Sequence, residues 1–312
     1  MTSTPHTLGT KNRRFIEVTA DHERTVWLYR AALPAMVLIA IYVEIKKFIL
    51  GAFGAKPTTN FWLVDGLSRN SRRVREGAAR WKALDAVYNF AEPAGVVNLV
   101  RRVDKFWMGI RNAQAVRNRL KIARRELASA IERTAARTGR PVRLLSLAAG
   151  SAQGVIESVA EFRKMGIEMD VLLIDQGPTA LAHARELAVK HEVHDAIMTQ
   201  EGNVLFFDRL IGGFAPDIVE MLGLLDYLRT GTAILLIKKI MKRLSIGGYF
   251  FTCHVHPNSE RYFLERVVDW LMIYRTVDEF EGLLSVEEDV GLRLVTEPHG
   301  IHTIAVMERV AS

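Results

Sequence analysis

The sequence predicts an α/β fold: a seven-stranded sheet with an antiparallel last strand, preceded by an all-helical N-terminal domain. Two changes near Arg140-Pro141 predict it. Helical periodicity gives way there to short apolar runs alternating with amphipathic stretches. The charge also reverses: residues 1–140 hold 26 Lys+Arg against 11 Asp+Glu, and the remainder 16 against 24, a net +15 facing a net −8. This predicts domains at 1–139 and 140–312, the first a basic helical cover docked on an acidic partner in the same chain.

The 312 residues are 49% hydrophobic and 25% charged, which excludes a disordered or collagen-like chain. Cys253 is the only cysteine, so no intrachain disulfide and no cysteine-built zinc or iron–sulfur site is possible, and a reducing cytoplasm is the expected setting. Residues 1–30 are polar and charged, without the apolar core of a secretory signal. Residues 31–43, AALPAMVLIAIYV, form an apolar run that Glu44, Lys46 and Lys47 end short of the ~20 residues a membrane span needs. A buried or interfacial helix is expected there, with peripheral membrane contact as a further reading. Breaks fall near Pro34, 51–57 and 92–95. From Asn112 to Thr138 a long helix carries an apolar stripe of Ala115, Leu120, Ala123, Leu127, Ala130 and Ile131, with Arg117, Arg119, Lys121, Arg124 and Arg125 expected on its solvated face.

After Arg140 come VRLLSLA, MDVLLID, DAIMTQ, PDIVEML, GYFFTCHV, LRLVTE and HTIAVMER. The first runs are continuously apolar, as parallel strands buried on both faces are. The last two flank a short Pro-His-Gly turn, which predicts an antiparallel hairpin ending the sheet.

The first of these strands runs into Ala148-Ala149-Gly150-Ser151-Ala152-Gln153-Gly154 and then a helix. Small residues between a strand and a helix N-terminus let backbone approach a ligand beyond the carboxyl ends of a doubly wound sheet. Asp175 ends the next strand, 25 positions after Gly150, where a carboxylate can hold both hydroxyls of a ribose. The loop lacks the G-x-G-x-x-G that packs a pyrophosphate, so a nucleoside without phosphates fits better than a dinucleotide.

These residues resemble the first motif of the class I S-adenosylmethionine-dependent methyltransferases, with Ala152 where the family has its middle glycine. The resemblance covers about 140–310 and implies a Rossmann-like sheet with S-adenosyl-L-methionine as cofactor. It further implies that Ala149, Gly150, Ser151 and Gly154 form the cofactor loop, Asp175 binds the ribose, and Gln176 packs along the adenine. Asn203 would read the adenine amino group, with Val204 beside the ring. Residues 221–228, 256–258 and 269–276 are similar to a bacterial small-molecule or fatty-acid methyltransferase group, which implies a small acceptor.

The tips of the fourth and fifth strands hold the remaining candidates. Glu220 is expected at the methionine ammonium, Asp226 and His254 at the substrate, and His256 as the base, unless it instead caps a helix or bonds a backbone carbonyl. Tyr227 and Tyr274 offer aromatic faces to a sulfonium. Arg275 can pair with a carboxylate of substrate or cofactor, or with Asp278 and Glu279. His254, His256 and Cys253 alternate along a strand and do not converge, so no metal site is expected. Methyl transfer to a small metabolite is the first functional expectation. Cyclisation of the cofactor to an azetidine with release of methylthioadenosine is the alternative. An RNA partner drawn by Arg69, Arg72, Arg73, Arg75 and Arg80 ranks last, because no stacking aromatics interleave them. Oligomeric state is not legible.

Overall fold

A computed structural model describes residues 13–24, 26–91, 98–285 and 290–310; the break expected at 92–95 lies outside them. Eight strands form one sheet: β1 (Arg13–Ile16), β2 (Val142–Leu147), β3 (Met169–Asp175), β4 (Ile197–Glu201), β5 (Ile218–Met221), β6 (Tyr249–Val255), β7 (Val290–Thr296) and β8 (His302–Arg309). Their order is β1-β7-β8-β6-β5-β2-β3-β4, and only β8 pairs antiparallel with its neighbours. The chain reverses direction across the sheet between β2, which pairs with β3, and β5 on its other side, opening a crevice at their carboxyl ends.

The antiparallel β7–β8 hairpin follows β6 at one end of the seven expected strands, with β8 paired to both β6 and β7. One feature differs from expectation. An eighth strand from the expected all-helical region, β1, pairs in parallel outside β7. Its sequence, RRFI, is too short and too charged for an alternation signal. Arg14 holds it in place through Asp278 at 2.6 Å and a second ion pair with Glu281.

The N-terminal helices are α1 (Trp27–Ala31), α2 (Leu33–Ala52), α3 (Arg69–Glu76), α4 (Trp81–Tyr88), α5 (Leu99–Met108) and α6 (Arg111–Thr138). Pro34 lies in the first turn of α2, where its missing N–H costs nothing. On α2, Met36, Ala40 and Val43 are buried while Phe48 is 78% exposed, and Phe53 just beyond the helix is 85% exposed. Among the described residues, no helix is long and apolar enough to cross a membrane. Around the sheet lie α7 (Gln153–Lys164), α8 (Pro178–Lys190), the one-turn α9 (Phe207–Leu210) and α11 (Arg261–Phe263), α10 (Thr230–Arg243) and α12 (Val277–Leu284).

Three cores result. One sheet face packs against α10 and α12 through Leu236, Ile240 and Phe280. The other packs against α6, α7 and α8 through Ile131, Ile156 and Ala184. The third gathers Met36, Val43, Val87 and Trp107 with Phe263 and Val267, so a segment between β6 and β7 completes the helical layer. Within it Trp107 stacks on Phe263 with centroids 5.0 Å apart. The helix α6 enters two of these cores, Leu127 and Ile131 against the sheet and Ala113 in the helical layer, which fixes that layer over the sheet's carboxyl edge.

Candidate active site

The carboxyl ends of β2, β3, β4 and β5 face the helical layer across a cavity of about 1280 Å³. Its sheet-side wall starts with the loop after β2. Ala148, Gly150 and Ala152 all adopt left-handed backbone, at φ +54°, +57° and +49°. Such alternation turns the chain sharply between β2 and α7. Two of the three positions carry a Cβ that disfavours it. Ala152 thus occupies the glycine position of the motif at a conformational cost. Gly154 has a different reason: a Cβ there would lie 3.1 Å from Leu120 Cδ1, so its absence lets α7 approach α6.

Asp175 ties the loop to its neighbour. One carboxylate oxygen accepts from the Gly150 N–H at 2.9 Å and the other from the Gly177 N–H at 2.7 Å. Gly150, Asp175, Gln176, Asn203 and Val204 line the same wall. Asn203 caps the following turn by accepting from the Leu205 N–H at 2.9 Å. The helical layer closes this end through Trp81, which stacks on His183 with centroids 4.7 Å apart and donates to Thr179 at 3.3 Å. A carboxylate that can accept from paired hydroxyls, an amide that can both donate and accept, a buried aliphatic and a glycine loop thus lie on one surface, a combination that suits a nucleoside.

Glu220 lies beneath this loop, in a side cleft of about 100 Å³ shared with Ser151, Gly154 and Tyr88. It accepts from Ser146 Oγ at 2.5 Å, and burial raises its pKa. Ala149 lines the same cleft. Asp226 and Tyr227 reach the main cavity. The Asp226 carboxylate accepts from the Val255 N–H at 3.0 Å, with His254 Nδ1 2.9 Å away. The Tyr227 hydroxyl accepts from Trp270 Nε1 at 2.6 Å, and burial pushes its pKa up to about 12.

His254, His256, Tyr274 and Arg275 do not line the cavity. His256, 4% exposed, has both ring nitrogens engaged, Nδ1 with the Arg275 carbonyl at 2.7 Å and Nε2 with Thr303 Oγ1 at 2.6 Å. Burial lowers its pKa. The reason is topological: insertion of β8 beside β6 brings Thr303 onto the ring. Arg275 donates to the carbonyls of Leu225 at 3.1 Å and Leu228 at 2.6 Å, not to Asp278 or Glu279, and meets His254 Nε2 at 3.4 Å. The Tyr274 ring lies under the Arg261 guanidinium at 4.4 Å. Among the described residues no cluster suited to a metal ion occurs.

Two residues that sequence reasoning left aside do line the cavity. Arg119, expected on a solvated face, is 3% exposed. It follows Ala115 by four positions and precedes Ala123 by four, so it belongs on the apolar stripe itself. His302 opens β8. Because β8 runs against the other strands, its start, not its end, lies at their carboxyl edge.

The reversal between β2 and β5, the antiparallel β8 and the loop–acid pair of Gly150 and Asp175 define a class I S-adenosylmethionine-dependent methyltransferase. The family model described as "Putative methyltransferase" matches residues 71–309, and the chain belongs to that family. Among solved structures, it is similar to a possible exported protein from Bordetella parapertussis, with 16% identity over 91% of this chain and 97% of that one and a TM-score of 0.65. It is also similar in fold to the magnesium protoporphyrin IX methyltransferase of Synechocystis PCC 6803 with bound S-adenosylhomocysteine, with 11% identity over 78% of this chain and all of that one and a TM-score of 0.51. A search of curated proteins finds no match to the sequence.

Proposed function

We propose that this methyltransferase acts on a small acceptor held between the helical layer of residues 1–139 and the carboxyl edge of the sheet. The carrying observation is the cavity, which runs from Gly150, Asp175 and Asn203 to Trp107, Phe263 and Met272. At about 1280 Å³ it exceeds the ~300–1,000 Å³ of a usual single-ligand site, giving room for an acceptor beside the cofactor. S-adenosylmethionine supplies an electrophilic methyl group on a sulfonium.

The chain's own contribution is alignment and exclusion of water. Asp175 would hold the ribose, Asn203 and Gln176 the adenine, and the 149–154 loop with Glu220 the amino-acid tail. Tyr227 would face the sulfonium. In this reading His256 stiffens the sheet edge, and a base, where the acceptor needs one, must come from the cavity wall.

Incubation with S-adenosylmethionine and pooled small metabolites tests this. Acceptor-dependent S-adenosylhomocysteine is expected by mass spectrometry; methylthioadenosine formed without an acceptor overturns it in favour of cyclisation. The comparisons lend no support to cyclisation or to an RNA acceptor. A cytoplasmic setting is read from the lone, buried Cys253. Peripheral membrane contact is read from the exposed apolar residues of α2 and is tested by flotation with anionic vesicles.

A further inference from the structure

Two arginines are buried near the site and only one is satisfied. Arg275 is consumed by the Leu225 and Leu228 carbonyls. Arg119 faces the cavity, where its Nη2 donates to the Tyr88 hydroxyl at 2.8 Å while its Nε is buried with no partner. Among the described residues no carboxylate forms a salt bridge with it. A guanidinium stays protonated at any pH where proteins fold, and although Asp226 and Glu220 lie within electrostatic range of Arg119, neither forms a salt bridge with it, so its Nε–H has no hydrogen-bond acceptor. On the same wall, His302 Nδ1 is likewise buried and unpartnered in a residue only 3% exposed. Burial, with the nearby positive Arg119, keeps that imidazole neutral. Both atoms await a polar ligand. The facing surface of Trp107, Phe263 and Met272 is apolar.

We propose that Arg119 and the Tyr88 hydroxyl form a carboxylate subsite, filled by an acceptor whose apolar body packs against Trp107, Phe263 and Met272. This rests on the cavity being the methyl-transfer site. The Tyr88 oxygen accepts from Arg119, which leaves its O–H to donate to the ligand, and the Arg119 Nε–H is the second donor. His302 presents its free nitrogen to a second polar group of the same acceptor. The cofactor's amino-acid tail also carries a carboxylate. Arg119 lines the main cavity together with the apolar surface, which points to the acceptor, whereas Tyr88 lines the side cleft under the 149–154 loop, which makes the cofactor's carboxylate the competing occupant.

Calorimetry on the full chain separates these sources with four probes: S-adenosylhomocysteine, methylthioadenosine (the same nucleoside without the carboxylate), and octanoate and octanamide titrated into protein saturated with S-adenosylhomocysteine. Wild-type protein is expected to bind octanoate about 10- to 100-fold more tightly than octanamide, a preference that Arg119→Met abolishes with S-adenosylhomocysteine affinity unchanged. If Arg119→Met instead reduces S-adenosylhomocysteine to the affinity of methylthioadenosine, the acceptor assignment is overturned and the cofactor's own carboxylate is the group that Arg119 holds. Arg119→Lys keeps the charge and is expected to retain most of the octanoate preference. It serves, with a crystal structure of the wild-type ternary complex, if Arg119→Met does not fold. The subsite is overturned if wild-type protein binds S-adenosylhomocysteine but distinguishes neither octanoate from octanamide nor S-adenosylhomocysteine from methylthioadenosine, or if the carboxylates lie away from Arg119 in the complex. Failure to bind S-adenosylhomocysteine at all overturns the underlying methyl-transfer reading instead.

Discussion

The two walls of the cavity are built in different ways. The sheet-side wall is made by backbone: three left-handed residues at 148, 150 and 152 and one carboxylate, Asp175, that accepts from two glycine N–H groups. The helical wall is made by side chains brought from far apart, Arg119 from α6, Trp81 from α4 and Trp270 from the chain after β6. The first kind of wall is stiff and suits a ligand that never changes. The second can be altered one side chain at a time without disturbing the sheet, and suits the ligand that distinguishes one methyltransferase from another.

Asp175→Ala attacks the backbone wall and carries the largest expected effect. It removes both loop ties together with the proposed ribose contact. Affinity for S-adenosylhomocysteine should fall by roughly 100-fold or more in calorimetry, at about 1.5–3 kcal/mol for each charge-assisted hydrogen bond. Retention of wild-type affinity would mean that Asp175 only organises the loop and that the nucleoside binds elsewhere.

His256→Gln separates the wall from its support. Both nitrogens of His256 are bonded and none reaches the cavity, so its loss should cost stability, about 2 kcal/mol in urea unfolding, with S-adenosylhomocysteine affinity unchanged. Full stability with loss of turnover would return His256 to the role of base.

The contrast between walls also explains what could be read from the sequence. The glycine loop, Asp175 and Asn203 are legible because each stands at the carboxyl end of a parallel strand that its own apolar run marks in the sequence. His256 misled because its surroundings come from Thr303, 47 positions away, once β8 inserts beside β6. His302 carries no strand-end signal, because the antiparallel β8 brings its beginning, not its end, to the carboxyl edge of the other strands. Arg119 was legible in principle through its four-residue spacing from Ala115 and Ala123, but the run of arginines around it imitates a solvated face. The strand β1 lay beyond reach, since two apolar residues in four carry no periodicity.

Acid should weaken the protein through its buried histidines. Burial holds His256 and His302 below their ordinary pKa and His299 at about 4, so the unfolded chain binds protons more tightly than the folded one. Their contribution to stability is complete above the ordinary histidine pKa of about 6.5 and is lost as pH falls towards the folded values. Burial raises Glu220 and Glu297, which works the opposite way as pH falls through their raised values towards the ordinary carboxylate range, so the histidine part is isolated by comparison with a histidine variant. A midpoint falling by a few degrees below about pH 6.5 is expected in thermal unfolding, with a shallower fall in His299→Gln. A profile that His299→Gln leaves unchanged would mean that this imidazole is hydrated.

Ala152→Gly should have the smallest effect and tests the stiff wall most finely. Ala152 is left-handed at φ +49° and begins α7, so its Cβ costs about 1 kcal/mol that glycine would not. Glycine in turn loses more chain entropy on folding, about 0.5–1 kcal/mol, and the two terms nearly cancel. Stability should therefore change by less than about 0.5 kcal/mol, while the loop becomes freer to move. If the strained alanine preorganises the loop, Ala152→Gly will weaken S-adenosylhomocysteine binding a few-fold at unchanged stability. An unchanged or tighter affinity would instead mean that Asp175, through Gly150 and Gly177, sets the loop alone, and that the methyl group at 152 is tolerated without contributing to the site.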